Sequence, residues 1–321
     1  MLNKNIIFIV SLVLFLSGCS SIIEPHSGLS SSTVETFYDY QLTTPNQQNI
    51  DLSSFTEQLK SADVILIGEW HTHPAVHRFQ TDLLRSLYQK NQNIALSMEQ
   101  FTRDKQTVIN QYLNQEIGEQ TLITQANAWP NYESDYRPLV EFAKTNQLDV
   151  IAANAPKDIV RCIGREGIGY INKLPADQRE WLTSSISLEE SPYKRHFLAS
   201  MHHGTEAQNL NQYAAQVTWD ETMADSIVEY LSMHSGSQLV HIAGKFHIEN
   251  GLGTAASILA RAPQLNVVIV TPIDVNQTIK SHSTDYQLLV LPPPTRFIKK
   301  KNMAASFKQL EDRNSDLRCL P

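Results

Sequence analysis

The chain has 321 residues, 41% of them hydrophobic and 18% charged. That is a globular composition, too apolar for a disordered chain and too poor in Gly and Pro for a fibre. A formal net charge of −7 argues against a partner held through phosphates, so nucleic acid is not the expected ligand. Eleven His and eleven Tyr supply donors for metal or cofactor chemistry.

In chain order, the first predicted element is an export signal. Lys4 provides a positive start, and Ile6 to Leu16 forms an apolar core too short to span a bilayer. Leu16-Ser17-Gly18-Cys19 resembles a bacterial lipobox, which implies cleavage before Cys19 and acylation of its thiol. Residues 1–18 are therefore expected to be a lipoprotein signal peptide, 19–35 a Ser-rich tether, and 36–321 a single α/β domain. Ser20 after the cysteine favours an outer-membrane anchor, with the domain facing the periplasm of a bacterial envelope. The two remaining cysteines, Cys162 and Cys319, are either a disulfide worth ~4–5 kcal/mol in the chain-entropy model or two free thiols.

From Phe37 the pattern is globular. Apolar, β-branched runs at 62–69, 94–99, 148–154, 239–244, 266–271 and 286–291 read as strands. Between them, helical spacing appears at 74–89, 103–116, 135–146, 219–231 and 254–261, with a mostly helical stretch through the middle of the chain. Strands alternating with helices predict a mainly parallel central sheet flanked by helices, with a helical insertion in the middle. Met223 and Met233, on and beside the 219–231 helix, read as core.

The polar residues fall at the strand ends. The first strand closes on Gly68-Glu69-Trp70-His71 and continues through His73-Pro74 to His77. The second closes on Glu99-Gln100, the third on Asn154-Ala155-Pro156, and the fourth runs into Gly244-Lys245-Phe246-His247. In a parallel sheet these ends share one edge, where ligands bind. Glu69, His71, His77, Glu99, Asn154 and His247 are thus expected to converge on a common strand-end polar site. Imidazoles and carboxylates there suit a divalent metal that activates water, or a scaffold that hydrogen-bonds a ligand.

The ordered set GEWHTHPAVH, SMEQF, VIAANAP, WDETMAD and HIAGKFHIENGLG, over about residues 50–275, resembles the ChaN family of haem-binding uptake lipoproteins in the Tiki/erythromycin-esterase-like superfamily. Trp129 to Leu139 resembles that family's aromatic stretch, whereas Lys245-Phe246 departs from the smaller or polar residues expected before His247. The resemblance implies a homodimer closing around two haems, each iron held by a Tyr of one subunit and its propionates by a His and a Lys of the other. Phenolate suits ferric iron, and propionates need cationic donors. Tyr136 and Tyr132 have the best motif support as ligand, with Tyr170 and Tyr193 next. Lys194, His202 and His203 are the propionate candidates, in a basic segment with Arg195 and His196 between predicted helices. The expected function is haem binding in haem or iron acquisition, handing on to an uptake machinery. The alternative is a hydrolase, metal-assisted or His-based, in which Glu69 orients His71 with Glu99 and His247 alongside. In a third reading the polar edge only stabilises loops.

Overall fold

A computed structural model describes residues 34–202, 204–277, 283–315 and 317–321. The expected signal peptide, Cys19, the tether up to residue 33, and His203 lie outside the described residues.

The domain enters through β1 (Gln41–Thr43) and α1 (Leu52–Gln58), whose cap Asp51 accepts from the Ser54 amide at 2.8 Å. Then come β2 (Val64–Glu69), α2 (Pro74–Lys90), β3 (Ile94–Thr102), α3 (Gln106–Leu113) and α4 (Glu119–Gln125). A π turn (Tyr132–Tyr136) runs directly into α5 (Arg137–Thr145), and β4 (Val150–Asn154) follows. The helical middle holds α6 (Lys157–Glu166), the single turn α7 (Ala176–Arg179), α8 (Pro192–Ser200) and α9 (Glu206–Met233). β5 (Gln238–Gly244), α10 (Thr254–Arg261), β6 (Val267–Asp274), β7 (Tyr286–Val290) and α11 (Lys300–Ser315) complete the order.

Among the described residues the strands form one seven-stranded sheet, β1-β7-β6-β2-β5-β3-β4. Every neighbouring pair is parallel except β1 with β7. The central strands are buried on both faces, which is why they read as unbroken apolar runs. Ile65, Ile67, Leu96 and Ile242 point to the α2 and α5 side, where they meet Phe79, Leu83 and Leu139. Leu66, Leu239 and Ala243 point the other way, to Met223 and Ile227 of α9 and Ile258 of α10. Each such side chain contributes about 1.5–3 kcal/mol by leaving water. After β5 the chain crosses back over β2 to reach β6, whereas after β3 it continues outward to β4. The carboxyl ends of these two neighbours therefore part, which is where open α/β sheets bind ligands.

Several boundaries differ from the sequence expectations. β3 runs on to Thr102, so the helix expected from residue 103 begins at Gln106 after a single 3₁₀ turn. The helix expected from 135 begins at Arg137, its first residues being taken by the π turn. α9 starts at Glu206, well before Trp219, because Thr205 and Gln208 form a reciprocal capping box. The basic segment around Lys194 is helical in large part: Ser191 caps α8 by accepting from the Lys194 amide at 3.0 Å, and Pro192 opens it. Met223 is core, whereas Met233 is 66% exposed at the end of α9. β1, α1, α4 and α11 have no counterpart in the expected elements.

Cys162 and Cys319 form a disulfide, resolving the alternative the sequence left open and fastening the C-terminal residues to α6. β4 is an edge strand, yet its free side is occupied. The Gln106 side chain donates to the Val150 carbonyl at 2.9 Å and accepts from the Ala152 amide at 2.7 Å.

Candidate functional site at the carboxyl edge of the sheet

Glu69, the last residue of β2, is buried and gathers four side-chain hydrogen bonds. Its carboxylate accepts from the Tyr136 hydroxyl (2.6 Å), Gln80 (2.7 Å), His71 Nδ1 (2.8 Å) and Gln100 (3.0 Å). Burial pushes this carboxyl up. The His71 bond, the His77 and His71 charges and the Tyr136 bond outweigh it and hold the group below its ordinary range. The π turn delivers Tyr136 to this position, and π turns recur at functional sites.

His71 stands above Glu69 with its side chain 45% exposed, and the Trp129 ring lies edge-on at 5.0 Å. Burial lowers its basicity, but the Glu69 bond and the Glu99 and Glu69 charges win, so the imidazole is held above its usual range. The room for this ring comes from Gly244 at the end of β5. A Cβ there would sit 2.9 Å from His71 Cε1 and 3.0 Å from Nε2. His77 is buried behind, bridging Gln80 Oε1 (2.9 Å) and the His71 carbonyl (3.0 Å). Asn131 steadies the same carbonyl at 2.8 Å.

The other half of the edge is closed. Glu99, in the last half of β3, accepts from the Gly244 amide, and its other oxygen lies 3.6 Å from His247 Nε2. His247 Nδ1 faces Asp220 of α9 at 2.9 Å. Asp220 is itself buried and also accepts from the Tyr193 hydroxyl (2.7 Å) and Thr254 (2.8 Å). Burial alone would lower His247. The Asp220 and Glu99 charges and the Asp220 bond instead raise it to about 9. Gly253, at φ +51°, is required here, because a Cβ would come within 2.4 Å of the His247 carbonyl oxygen. Asn154 turns away from this ring of contacts. It donates to the Glu99 carbonyl (3.0 Å) and accepts from the Ala155 amide (2.9 Å), fixing the end of β4.

Glu69, His71, His77, Glu99 and His247 thus lie together, and Asn154 holds the backbone beside them. Asp220 was not among the sequence candidates; its signal was the aspartate inside WDETMAD, in the middle of α9. Among the described residues no three His, Cys, Asp or Glu side chains form a group arranged to hold a metal ion. Chemically, the edge offers one half-exposed imidazole backed by a buried carboxylate, and one sealed imidazole between two carboxylates.

The phenols singled out in the sequence are interior. Tyr132, Tyr136, Tyr170 and Tyr193 are all buried. Tyr136 and Tyr193 donate to Glu69 and Asp220, and Tyr170 accepts from the Leu320 amide at 3.2 Å. Burial, then neighbouring charge, pushes Tyr132, Tyr136 and Tyr193 above the ordinary phenol range. Lys194 pairs with Glu190 (2.7 Å) and donates to the Leu188 carbonyl (3.1 Å). Arg195 and His202 are exposed, and His196 stacks on Phe246 at 5.0 Å.

The exposed tyrosine is Tyr38, at 64%, and the sequence reading did not select it. It precedes β1, which runs antiparallel to β7, so it sits beside the carboxyl end of β7. Arg78 donates to its carbonyl at 3.1 Å. The adjacent Phe37 ring meets His73 at 5.4 Å, His73 meets Trp70 at 5.7 Å, and Lys245 Nζ lies 5.9 Å from the Trp70 centroid. His73 Nε2 bonds the Leu291 carbonyl at 2.9 Å, tying this belt to the end of β7.

A doubly covered, mostly parallel sheet with an aromatic and imidazole-rich carboxyl edge defines the class: an α/β protein with a polar cluster at its strand ends. More specifically, residues 55–258 match the family described as haem-binding uptake, Tiki superfamily, ChaN, and the chain belongs to it. The solved ChaN of Campylobacter jejuni, with cofacially bound haem, superposes with a TM-score of 0.62 at 18% identity, over 80% of this chain and 99% of that one. The erythromycin esterase EreC aligns at 11% identity with a TM-score of 0.44, over 84% of this chain and 87% of that one. A curated relative, protein RETICULATA-RELATED 5 of Arabidopsis thaliana, is 23% identical over 67% of this chain. This chain spans 31% of that relative's length.

Proposed function

We propose that the protein binds haem on the outer surface of the carboxyl edge, with the Tyr38 phenolate as iron ligand. The observation that carries this is exposure. Tyr38 stands out at 64%, while Tyr136 and Tyr132, favoured by motif, and the runners-up Tyr170 and Tyr193 are buried. Its surroundings suit the group: Phe37 and Trp70 offer apolar ring surface, and Arg78 and Lys245 are cations within reach of the same belt. Haem supplies a flat apolar face and a ferric centre. The protein's part is to offer an anionic oxygen, ring contacts and propionate partners.

Membership of a haem-binding family supports the choice of ligand. The cofacial haem of the Campylobacter protein supports a homodimer in which two pigments stack between copies. With a lipobox at Cys19, this reads as a lipoprotein anchored in the outer membrane, facing the periplasm and passing haem to uptake machinery for iron acquisition.

Haemin titration followed by absorbance and mass is the test. The wild-type protein and Tyr136→Phe should show a saturable Soret shift, a phenolate charge-transfer band and a move towards dimer mass. Tyr38→Phe should lose the band and weaken binding at least about tenfold. A Tyr38→Phe spectrum identical to wild type would overturn the assignment.

A second reading has its own observation, the Glu69–His71 pair at 2.8 Å, in which a buried carboxylate orients a half-exposed imidazole. Such a pair can serve as a general base in ester or peptide hydrolysis. Turnover of model esters that disappears with His71→Ala would support it, and its absence leaves Glu69 as a structural anchor for the edge.

A further inference from the structure

Beyond β7, α11 stands almost unsupported. Among the described residues no strand or helix packs along its length. It is held at both ends instead: the chain leaves β7 on one side, and on the other Cys319 is bonded to Cys162 of α6. The Leu317 carbonyl accepts from Arg165 at 3.0 Å, reinforcing the second attachment. A 16-residue helix without a packed face is marginal in water.

Its exposed surface is two-sided in chemistry. Ile298 is 85% exposed, Phe307 53%, Met303 40% and Phe297 37%. Met303 and Phe307 are one turn apart and so share a face with Lys300 at its flank, whereas Lys301 and Lys308, two turns apart, form a row on the opposite side of the helix. Residues 296–309 hold Arg296, Lys299, Lys300, Lys301 and Lys308 and no acidic residue, in a chain whose net charge is −7. No ion pair engages these five cations among the described residues. Apolar and aromatic side chains flanked by lysines mark a helix that lies in a membrane interface, the rings entering the acyl boundary and the lysines meeting anionic headgroups. Among the described residues no helix is long and apolar enough to cross a membrane, so the contact is one of lying on the surface.

We infer that residues 297–309 form a docking surface for an anionic lipid headgroup layer. This contact is independent of haem. It orients the domain on the membrane through an attachment of its own. Each lysine at such a surface raises partitioning about fivefold, so reversing three of them costs on the order of a hundredfold.

The test is hydrogen exchange on the full-length protein with phosphatidylcholine vesicles, with and without phosphatidylglycerol. Amides of 297–309 should exchange at least about tenfold more slowly on the anionic vesicles than on neutral ones. The difference should vanish at high salt and in Lys299→Glu/Lys300→Glu/Lys301→Glu, whose changes lie on exposed side chains and leave the core intact. Equal exchange on the two vesicle types, or slowing that survives the charge reversal, overturns the inference. Slowing that grows with protein concentration in the absence of lipid overturns it too, assigning the face to a second copy of the chain.

Discussion

The carboxyl edge has two halves built from the same residue types and arranged to opposite ends. On one side Glu69 gathers four donors and pushes His71 outward, half in solvent. On the other, Asp220 and Glu99 enclose His247, and Gly253 lets the backbone close over it. An imidazole oriented by a carboxylate and open to solvent can meet a ligand. One sealed between two carboxylates can only hold the structure. The aspartate on α9 and the glutamate on β3 therefore act as a clasp between the helical middle of the chain and the sheet, and the open half faces the aromatic belt.

Breaking the clasp should have the largest effect. Asp220→Ala strips the partner from a buried, charged His247 and from the Tyr193 and Thr254 hydroxyls. It should destabilise the protein by about 3–5 kcal/mol in urea unfolding; a loss under about 1 kcal/mol would mean the closed half is not a clasp.

The clasp also carries a pH signature. His247 is raised to about 9 from 6.5, so its contribution is complete below pH 6.5 and is lost as pH climbs towards 9. The loss should reach about 3 kcal/mol at most, and Asp220→Asn should flatten the slope. His241, six residues earlier, makes the internal control. It is buried, bonded only to Ser97 at 2.9 Å, and lowered to about 3 by burial first and by His247 second. Its contribution runs the other way, present above pH 6.5 and lost as pH falls towards 3.

On the open half, Glu69→Gln should cost less, about 1–3 kcal/mol, because an amide oxygen can keep the three bonds made to Oε1 and only the Gln80 bond to Oε2 is lost. Its sharper readout is the His71 imidazole, whose midpoint by NMR titration should drop when the carboxylate charge is removed. An unmoved midpoint would show that Glu69 does not govern His71. Smallest in stability is Tyr38→Phe, within about 0.5 kcal/mol by thermal unfolding. A surface phenol can thus be separated from the fold and still decide the spectrum of the haem complex.

Much of this arrangement was legible in the residue order, for a definite reason. A parallel strand covered on both faces is mostly apolar, so a charged residue closing such a run stands out: Glu69 ends β2, and Glu99 opens the polar last stretch of β3. The shared edge then follows from topology alone. What lay hidden were contacts between distant segments. Asp220 is one polar residue in a long helix, and nothing local says it meets His247. Tyr38 precedes a strand of three residues, too short to carry an alternating pattern. The motif tyrosines drew attention because they sit in an aromatic stretch, and that stretch proves to be the packing behind Glu69. α8 did carry a readable start in Ser191-Pro192, whereas α11 lacks a core-facing stripe to read.

The Gln106 amide that fills the free side of β4 has a consequence for life at high concentration. Two bonds from one side chain imitate a neighbouring strand, so an approaching copy finds the Val150 carbonyl and the Ala152 amide already taken. Replacing this glutamine by valine would uncover that margin, and the expected outcome is ribbon-like polymers seen by light scattering, with the monomer's fold unchanged.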